Sequence, residues 1–251
     1  MIALTFFIRI LIYSLGPFLT MIEECMPSQI IHLLNDRLTQ NKIDLPSEQK
    51  EKILVFLGLL EEWRETFNVT GHRNFEDIID KDIMDGLYAA SETRTHLKEV
   101  KTVLDVACGA GFIGLAFALF NPFKITFLDA DRKRTNFIRY VLTQLQMPQH
   151  SVIHARLEAK KDQKNTPLGK YDLIVCRATW KIDEFSNTCI KYVHNDGHLL
   201  FMAGKNQKID HPQTLELSGL AADPIISYTI KPKNYERQLI FLKKSVSREI
   251  S

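Results

Sequence analysis

Apolar residues in the first third of the chain recur at the three- and four-residue spacing of helices. Between residues 21 and about 92, this spacing predicts helices over Ile22–Leu38, after Pro46 and after Asn74. Ser47 is the predicted N-cap of the second helix, and Asn74 followed by Asp77 predicts a capped start of the third. The second helix has one apolar face, which is formed by Ile53, Phe56, Leu57, Leu60, Trp63 and Phe67.

From about residue 98, short apolar runs alternate with amphipathic stretches. Near-continuous apolar runs are typical of strands buried on both faces of a mostly parallel sheet, and their alternation with helices is the βαβ pattern. The last two runs lie close enough in sequence to pair as a hairpin, which adds one antiparallel strand. The predicted strands are Thr102–Ala107, Lys124–Asp129, Ser151–His154, Tyr171–Cys176, Gly197–Met202, Ile225–Ile230 and Arg237–Leu242.

Residues 1–20 form a separate apolar stretch that Arg9 interrupts and Gly16-Pro17 ends. The stretch is too short and too broken for a membrane span, and it lacks the basic start and cleavage site of a signal peptide. Two interpretations stay open: an N-terminal extension ahead of a start at Met21, or an anchor on a membrane surface. Because no other stretch predicts a bilayer span, a cytoplasmic protein without a stable membrane partner is expected.

Composition narrows the class of protein. The 251 residues are 45% hydrophobic and 25% charged, the balance of a folded globular chain. The net charge of +2 excludes a globally basic nucleic-acid coat, so any contact with RNA or DNA must use local patches. The cysteines are isolated, which argues against a cysteine zinc site and favours a reducing compartment; they are Cys25, Cys108, Cys176 and Cys189.

The segment with candidate chemistry follows the first predicted strand. Asp105–Gly114 reads DVACGAGFIG, a glycine-rich turn between a strand and a helix. Such a turn lets a ligand approach the backbone closely, because glycine has no Cβ. Asp129, 20 residues after Gly109, ends the second strand. A carboxylate at that position can accept hydrogen bonds from the ribose hydroxyls of an adenosine-containing cofactor.

The residues around the glycines separate three kinds of nucleotide site. Gly109, Gly111 and Gly114 fit G-x-G-x-x-G, whereas Leu115 stands where a P-loop requires lysine. Asp105, four residues before the G-x-G, favours the D-x-x-x-G-x-G pattern of class I methyltransferases. A carboxylate suits the cationic S-adenosylmethionine and repels a pyrophosphate. A nicotinamide-dependent oxidoreductase is the disfavoured alternative, and a purely structural role for the glycines stays open.

The chain contains several separated motifs that occur in one order. They are Trp63–Thr70 (W-x-x-x-[YF]-N-L-T), Lys81–Leu87 (K-H-x-x-D-S-L), Asp105–Gly114 (D-x-G-[ST]-G-x-G-[FL]-P-G), Asp129–Phe137 ([DE]-x-x-x-K-R-x-x-F-L), Arg156–Glu158 (R-x-E), Arg177-Ala178 (S-R-A) and Lys205 (L-K-G). Together they resemble the motifs of the bacterial small-subunit ribosomal RNA methyltransferase G family, also called the glucose-inhibited division protein B family. The resemblance extends from about Met21 to about Leu242.

The resemblance implies an α/β, Rossmann-like fold with a seven-stranded, mostly parallel sheet behind a small helical subdomain. The expected division is an extension at 1–20, the helical subdomain at 21–95 and the methyltransferase domain at 96–251. The implied reaction is methyl transfer from S-adenosylmethionine to N7 of a guanine in 16S ribosomal RNA, with the RNA or the small ribosomal subunit as partner. A monomer is expected.

The resemblance also assigns site residues. The expected cofactor-binding residues are Asp105, Ala107, Gly109, Gly111, Phe112, Asp129, Leu157, Glu158 and Arg177. Asp129 would bind the ribose, and Leu157 and Glu158 would lie beside the adenine. The chain departs from the family pattern at Asp82, Gly86, Ala107, Cys108, Ile113, Cys176, Thr179-Trp180 and Asn206, and the changes at Asp82 and Gly86 leave the target nucleotide open.

Attack by guanine N7 needs no general base, because N7 has a free lone pair and no proton. The enzyme's task is therefore alignment of the reacting atoms. Arg177 and Lys205, each near the end of a late strand, are the candidate catalytic residues, with positioning of the guanine or its phosphate as their hypothetical role. An ordinary ion-pair role is the alternative for both.

Two basic stretches are candidates for contact with RNA. The first follows Asp129 and contains Arg132, Lys133, Arg134 and Arg139, for which phosphate contact and a solvated helix face are the two interpretations. The second, from Lys231 to Arg248, is predicted to be solvated. No metal is expected, since Asn195-Asp196-Gly197 predicts a turn between His194 and His198. A catalytically silent RNA-binding relative, or a methyltransferase with another RNA or a small-molecule substrate, stays open.

Overall fold

The helices and strands of a computed structural model follow the predicted alternation. The structure describes residues 26–64, 69–72, 74–120, 122–157, 168–177, 180–204 and 220–244. The helices are α1 (Ser28–Gln40), α2 (Ser47–Arg64), α3 (Phe75–Ile78), a π-helical turn (Ile79–Ile83), α4 (Met84–His96), α5 (Phe112–Phe120), α6 (Arg132–Gln144), α7 (Ile182–Cys189) and a 3-10 turn (Ile190–Tyr192). The strands are β1 (Thr102–Val106), β2 (Lys124–Asp129), β3 (Ser151–His154), β4 (Tyr171–Arg177), β5 (Val193–Gly204), β6 (Leu220–Ile230) and β7 (Tyr235–Lys244).

The strands form a seven-stranded sheet in the order β3-β2-β1-β4-β5-β7-β6. The pairs from β3 to β5 are parallel, and β7 lies antiparallel to both β5 and β6. The predicted fold class and its single antiparallel strand are therefore confirmed. The carboxyl ends of β1, β2 and β4 meet at one edge of the sheet, which is the edge where doubly wound proteins bind ligands.

Alternate residues of the strands face two apolar cores, one on each side of the sheet. In β4, Leu173 and Val175 belong to one core, whereas Ile174 and Cys176 belong to the other. All four side chains are fully buried. Burial on both faces explains why this strand appears in the sequence as an unbroken apolar run.

Helix α2 packs against helices α5 and α6 through aromatic side chains. Phe56 of α2 contacts Phe112 of α5 edge to face, with ring centroids 5.4 Å apart. Trp63 lies 5.4 Å from Phe137 and 5.6 Å from Tyr140, both on α6. Trp63 therefore contributes to the core, as its helical spacing predicts. The boundary at residue 95 stays a prediction.

The predicted helix starts were right in one case and wrong by one residue in another. The Asn74 side chain accepts a hydrogen bond from the Asp77 amide at 2.7 Å, so this cap is confirmed. Ser47 is instead the first residue of α2, because the Pro46 carbonyl accepts from the amides of Gln49 and Lys50. Among the described residues the first helix begins at Ser28, after Pro27, and residues 22–25 of the predicted helix lie outside the described chain.

Gly114 lets α5 lie directly on the central strands. A Cβ at this position would stand 2.3 Å from Cε1 of the buried Phe127 and 2.9 Å from Oδ2 of Asp105. We expect Gly114→Ala to lower the free energy of unfolding by about 1–3 kcal/mol, since the ring has no room to yield. Thermal denaturation should show a Tm lower by about 3–10 °C. Gly169→Ala is the matched control, because nothing lies within 4 Å of its added Cβ; equal Tm values for the two variants would contradict this packing.

Among the described residues, no helix is both long and apolar enough to cross a membrane.

Candidate cofactor and substrate site

The loop between β1 and α5 folds back beneath the end of β2. Its backbone takes positive φ angles at Ala107 (55°), Gly109 (59°) and Gly111 (86°). A positive φ is unfavourable for alanine, which explains why the resembled family has glycine at the position of Ala107. The Cys108 amide donates to the Leu128 carbonyl at 3.1 Å, and this bond fixes the loop against β2.

Asp105, at the end of β1, fastens the start of α5. Its Oδ2 accepts a hydrogen bond from the Gly114 amide at 2.8 Å, and the side chain is buried. Burial raises the pKa of Asp105 to about 7, although the Gly114 amide and Arg177 act in the opposite direction. This carboxyl group therefore changes charge near neutral pH, and a bound cation would favour its ionised form.

Asp129, at the end of β2, fastens the glycine loop. Its Oδ2 accepts from the Gly109 amide at 2.9 Å, and its Oδ1 accepts from the Asp131 amide at 2.8 Å. Each carboxylate oxygen can accept a further hydrogen bond, because it has two lone pairs. Asp129 can thus accept a hydrogen bond from a ligand hydroxyl while it still accepts from the loop.

A cleft of about 230 Å³ opens above this loop. It is bounded by the glycine loop, by Arg134 of α6, by Arg177 at the end of β4 and by the segment Val69–Gly71. The predicted cofactor residues Asp105, Ala107, Gly109, Phe112 and Arg177 are therefore brought together around one space. Two larger cavities, of about 690 and 700 Å³, lie away from this loop.

The other predicted cofactor residues lie near the cleft or outside the described chain. Gly111 stands behind the loop, where an added Cβ would meet Ile138 at 3.3 Å. Leu157 is buried in the same apolar core as Val106 and Leu128, which end β1 and precede Asp129. Glu158 and Lys205 lie outside the described residues.

Arg177 is surrounded by carboxylates from the helical segment. Its Nη2 donates to Asp82 Oδ1 at 2.5 Å, and its Nη1 donates to the Lys81 carbonyl at 3.1 Å and to Asp85 Oδ2 at 3.5 Å. Burial alone would lower the pKa of Arg177, but Asp82 and Asp85 raise it above its ordinary value. Arg177 therefore stays charged at the border of the cleft.

The helical segment and the terminal hairpin meet beside Arg177. The Tyr228 hydroxyl donates to Asp85 Oδ1, and Arg237 Nε lies 3.6 Å from Asp85 Oδ2. Lys233 Nζ lies 3.1 Å from Glu76 Oε1. The Lys233 side chain is 41% exposed, so it is solvated as predicted while it pairs with Glu76. The prediction was wrong for Arg237, which is 20% exposed and pairs with the buried Asp85.

The four basic residues that follow Asp129 do not share one surface. Arg134 lines the cleft, with Nη1 4.0 Å from Asp129 Oδ2. Arg132 and Lys133 are exposed at the start of α6. Arg139 instead donates through Nη2 to the Val152 carbonyl of β3 at 3.1 Å. Successive helical residues point in directions about 100° apart, which separates Arg132, Lys133 and Arg134; Arg139, seven residues after Arg132, lies about two turns further along α6.

Residues of the N-terminal segment that line the site had no predicted role in it. Val69, Thr70 and Gly71 border the cleft, and His72 and Asp82 pair beside it at 2.8 Å. Val69 and Thr70 end a motif of the resembled family, but nothing in their local sequence spacing indicates contact with a loop more than 30 residues later. Phe67 of that motif lies outside the described residues.

His194 and His198 lie on β5, where the strand departs from regular pairing. Tyr171 pairs with Val193 and Leu173 with His198, so the residues between them form an irregular stretch. This irregularity occurs where the sequence predicts a turn, and it keeps the two histidines off a common helical face. In the described ranges, no group of three or more histidine, cysteine or acidic residues is arranged to hold a metal ion.

The sheet order and the glycine loop define a Rossmann-like methyltransferase fold. An O-methyltransferase from Bacillus cereus, solved in complex with SAH, has the same fold with a TM-score of 0.56. It is 12% identical, and the match covers 82% of this chain and 95% of that one.

Sequence comparison identifies the family. The family model for rRNA small subunit methyltransferase G matches residues 49–238. Ribosomal RNA small subunit methyltransferase G of Clostridium botulinum strain Alaska E43 is 32% identical over 206 residues, which are 80% of this chain and 85% of the relative. The protein of that name from Lachnoclostridium phytofermentans is 28% identical over 206 residues, 80% of this chain and 84% of the relative. The chain belongs to the rRNA small subunit methyltransferase G family.

Proposed function

We propose that the protein transfers a methyl group from S-adenosylmethionine to N7 of a guanine in 16S ribosomal RNA. The observation that carries this proposal is the cleft that joins the Asp105–Gly114 loop to Arg177 at the carboxyl edge of the sheet. Family membership supports an rRNA substrate, because both relatives named above are ribosomal RNA methyltransferases.

The residues around the cleft fit the proposed cofactor. Asp129 offers carboxylate oxygens for the ribose hydroxyls, and Asp105 offers a buried carboxyl group for a cation. The backbone at Gly109 is open, since an added Cβ would meet nothing within 4 Å. Arg134 Nε is buried without a hydrogen-bond partner in the described part of the chain, which leaves a donor for a ligand oxygen.

The chain's own contribution to the reaction is binding and alignment. S-adenosylmethionine supplies an electrophilic methyl group on a sulfonium, and guanine N7 accepts it without losing a proton. Asp105, Asp129 and the loop amides hold one reactant, while Arg177 and Lys205 orient the base or its phosphate.

Exposed cations of α6 would contact the RNA backbone. Arg132 and Lys133 are solvent-exposed next to the cleft, and Arg134 borders it. We include these three residues and Arg139 in the proposed RNA-binding surface. The hydrogen bond from Arg139 to the Val152 carbonyl gives Arg139 a structural role as well. RNA affinity should fall as salt rises, because each phosphate contact releases a counterion.

Two measurements test the proposed function. Calorimetry should show binding of S-adenosylmethionine and no binding of NAD. The purified protein should then transfer a labelled methyl group from S-adenosylmethionine to 16S RNA or to the small subunit. Tight binding of NAD alone, or labelling of neither substrate, would refute the proposal.

Cofactor affinity should depend on pH through Asp105. The raised pKa means that the carboxyl is mostly protonated at pH 6 and mostly ionised at pH 8. Because the cationic cofactor favours the ionised form, we expect its affinity to rise about five- to tenfold between pH 6 and pH 7.5. Calorimetry in buffers of different ionisation enthalpy should also detect proton release.

Asp105→Asn provides the control for this pH dependence. Its amide oxygen can still accept from Gly114, so the loop keeps its anchor. The contribution of Asp105 to the stability of the cofactor-free protein should fall as pH rises from about 4 to 7, because the unfolded carboxyl ionises first. The difference in stability between the wild type and Asp105→Asn should therefore shift in favour of the asparagine variant over this range. An identical pH slope of cofactor affinity in both proteins would contradict the role of Asp105.

A further inference from the structure

Asp82 joins two walls of the cleft through one carboxylate. One wall is the end of β4, where Arg177 donates to Asp82 Oδ1 at 2.5 Å. The other wall is the segment Val69–His72, where His72 Nδ1 lies 2.8 Å from Asp82 Oδ2. Asp82 itself is buried, so neither contact is diluted by water as an exposed pair would be.

The hydrogen bond between His72 and Asp82 connects the Val69–His72 segment to the helical segment that contains Asp82. Val69, Thr70 and Gly71 line the cleft, and the His72 amide donates to Thr70 Oγ1 at 3.3 Å within the segment. In the part of the chain that the structure describes, the bond from His72 to Asp82 is the one side-chain hydrogen bond from this segment to another element. The His72 side chain is partly buried, with 33% of it exposed to solvent.

The π-helical turn explains how the short segment 81–85 provides three hydrogen-bond acceptors for Arg177. Ile79–Ile83 adopts the wider helix, and its Lys81 carbonyl accepts from Arg177 Nη1 at 3.1 Å. Asp82 and Asp85 add their carboxylates on the same side. Single π turns inside α-helices occur frequently at functional sites, where they redirect backbone and side-chain groups.

We propose that Asp82 is a positioning residue for methyl transfer: through His72 it holds the Val69–His72 segment, and through Arg177 it holds the end of β4, so that both walls enclose the methyl-accepting base at a set distance. The inference rests on the proposed function for its catalytic consequence. His72 acts here through Nδ1, as the link to Asp82, and a direct contact between its Nε2 and the RNA is the competing role.

Isosteric variants of His72 separate these roles. Asparagine places an amide nitrogen where Nδ1 stands and so can keep the bond to Asp82, whereas glutamine places its amide near Nε2 and loses that bond. We expect His72→Ala and His72→Gln to lower kcat for 16S RNA about tenfold, with the affinity for S-adenosylmethionine changed less than about threefold. His72→Asn should restore kcat to within about threefold of the wild-type value.

A double-mutant cycle tests the link itself. If His72 acts through Asp82, His72→Ala should reduce kcat by less than about twofold when added to Asp82→Ala. Asp82→Asn should lose less than Asp82→Ala, because an amide can accept from Arg177 and donate to His72. Wild-type kcat in His72→Ala, or wild-type kcat in His72→Gln together with an impaired His72→Asn, would overturn the proposal.

Amide hydrogen exchange provides a readout that does not depend on RNA. Exchange in the peptide containing residues 69–72 should be faster in Asp82→Ala and His72→Ala than in the wild type, and unchanged in His72→Asn. If the wild-type protein failed to methylate 16S RNA, the proposed function would fall while this exchange pattern still decided the structural link. Wild-type exchange in His72→Ala would overturn the link even in an active enzyme.

Discussion

Arg177→Ala should lower kcat/KM for 16S RNA by about 100-fold, the typical loss when a reactant is misaligned by about 1 Å. Arg177 borders the cleft and is oriented by Asp82, Lys81 and Asp85. Its removal takes away the cation that we propose to position the guanine or its phosphate. The measurement is the steady-state rate of methyl transfer, with cofactor affinity determined separately by calorimetry.

Stability must be measured beside the activity of this variant. Removal of Arg177 takes from the buried Asp82 and Asp85 the guanidinium that they share, and breaking a buried pair costs up to about 3–5 kcal/mol. His72 still contacts Asp82, and Tyr228 and Arg237 still contact Asp85, which reduces this loss. Arg177→Lys is the matched control: it keeps the positive charge but not the forked donor geometry. We expect the lysine variant to regain much of the Tm and little of the activity. Full turnover by Arg177→Ala, with intact cofactor affinity, would exclude the proposed role.

Asp129→Ala should weaken the binding of S-adenosylmethionine by about 10- to 150-fold, since a hydrogen bond to a charged group contributes about 1.5–3 kcal/mol. The variant loses the proposed acceptor for the ribose. It also releases the Gly109 amide, which the Asp129 carboxylate holds at 2.9 Å. Calorimetric titration with S-adenosylmethionine measures the effect directly.

Asp131→Ala is the neighbouring control for this binding experiment. The Asp131 side chain caps α6 by accepting from the Lys133 amide at 2.7 Å, so its loss costs about 1 kcal/mol of stability. Its backbone amide, which donates to Asp129, is unchanged by the substitution. We expect cofactor affinity within about threefold of the wild type. Equal losses in the two variants would indicate a general loosening of α6 rather than a ribose contact at Asp129.

The central strands of the sheet were predictable from the sequence because they are buried on both faces, whereas the edge strand β3 is exposed or half-buried. The predicted limits Lys124–Asp129 and Ser151–His154 are those of β2 and β3. β5 was harder to delimit: the predicted start is Gly197, whereas the strand begins at Val193 and pairs irregularly with β4. A pattern of apolar residues does not encode such a shift in register, because the polar stretch around Asn195 is typical of a turn.

The glycine loop was predictable because its chemistry is local. Asp105, Gly109 and Gly114 lie within ten residues of one another, and Asp129 follows at the spacing of one βαβ unit. The charged surroundings of Arg177 depend instead on long-range packing. Asp82 lies 95 residues away in sequence, and Tyr228, the hydroxyl partner of Asp85, lies 143 residues from it. Pairs this distant leave no periodic signal in a single sequence.

The different positions of the basic residues could not be predicted from the charge pattern along the chain. Arg132 to Arg139 form one run in sequence, yet the helix directs Arg134 to the cleft and Arg139 to the edge strand. The raised pKa of Asp105 is likewise a consequence of burial, which its neighbours in sequence do not reveal. Both properties follow from the three-dimensional arrangement of residues whose identities alone predict only a charge.

The most direct test of the central claim is a map of N7-methylguanosine in 16S ribosomal RNA from cells with and without this protein. We expect one N7-methylated guanine to disappear when the protein is absent. Expression of the wild-type protein should restore it, whereas the Arg177→Ala variant should not. An unchanged set of N7-methylated guanines in cells lacking the protein would contradict the assignment.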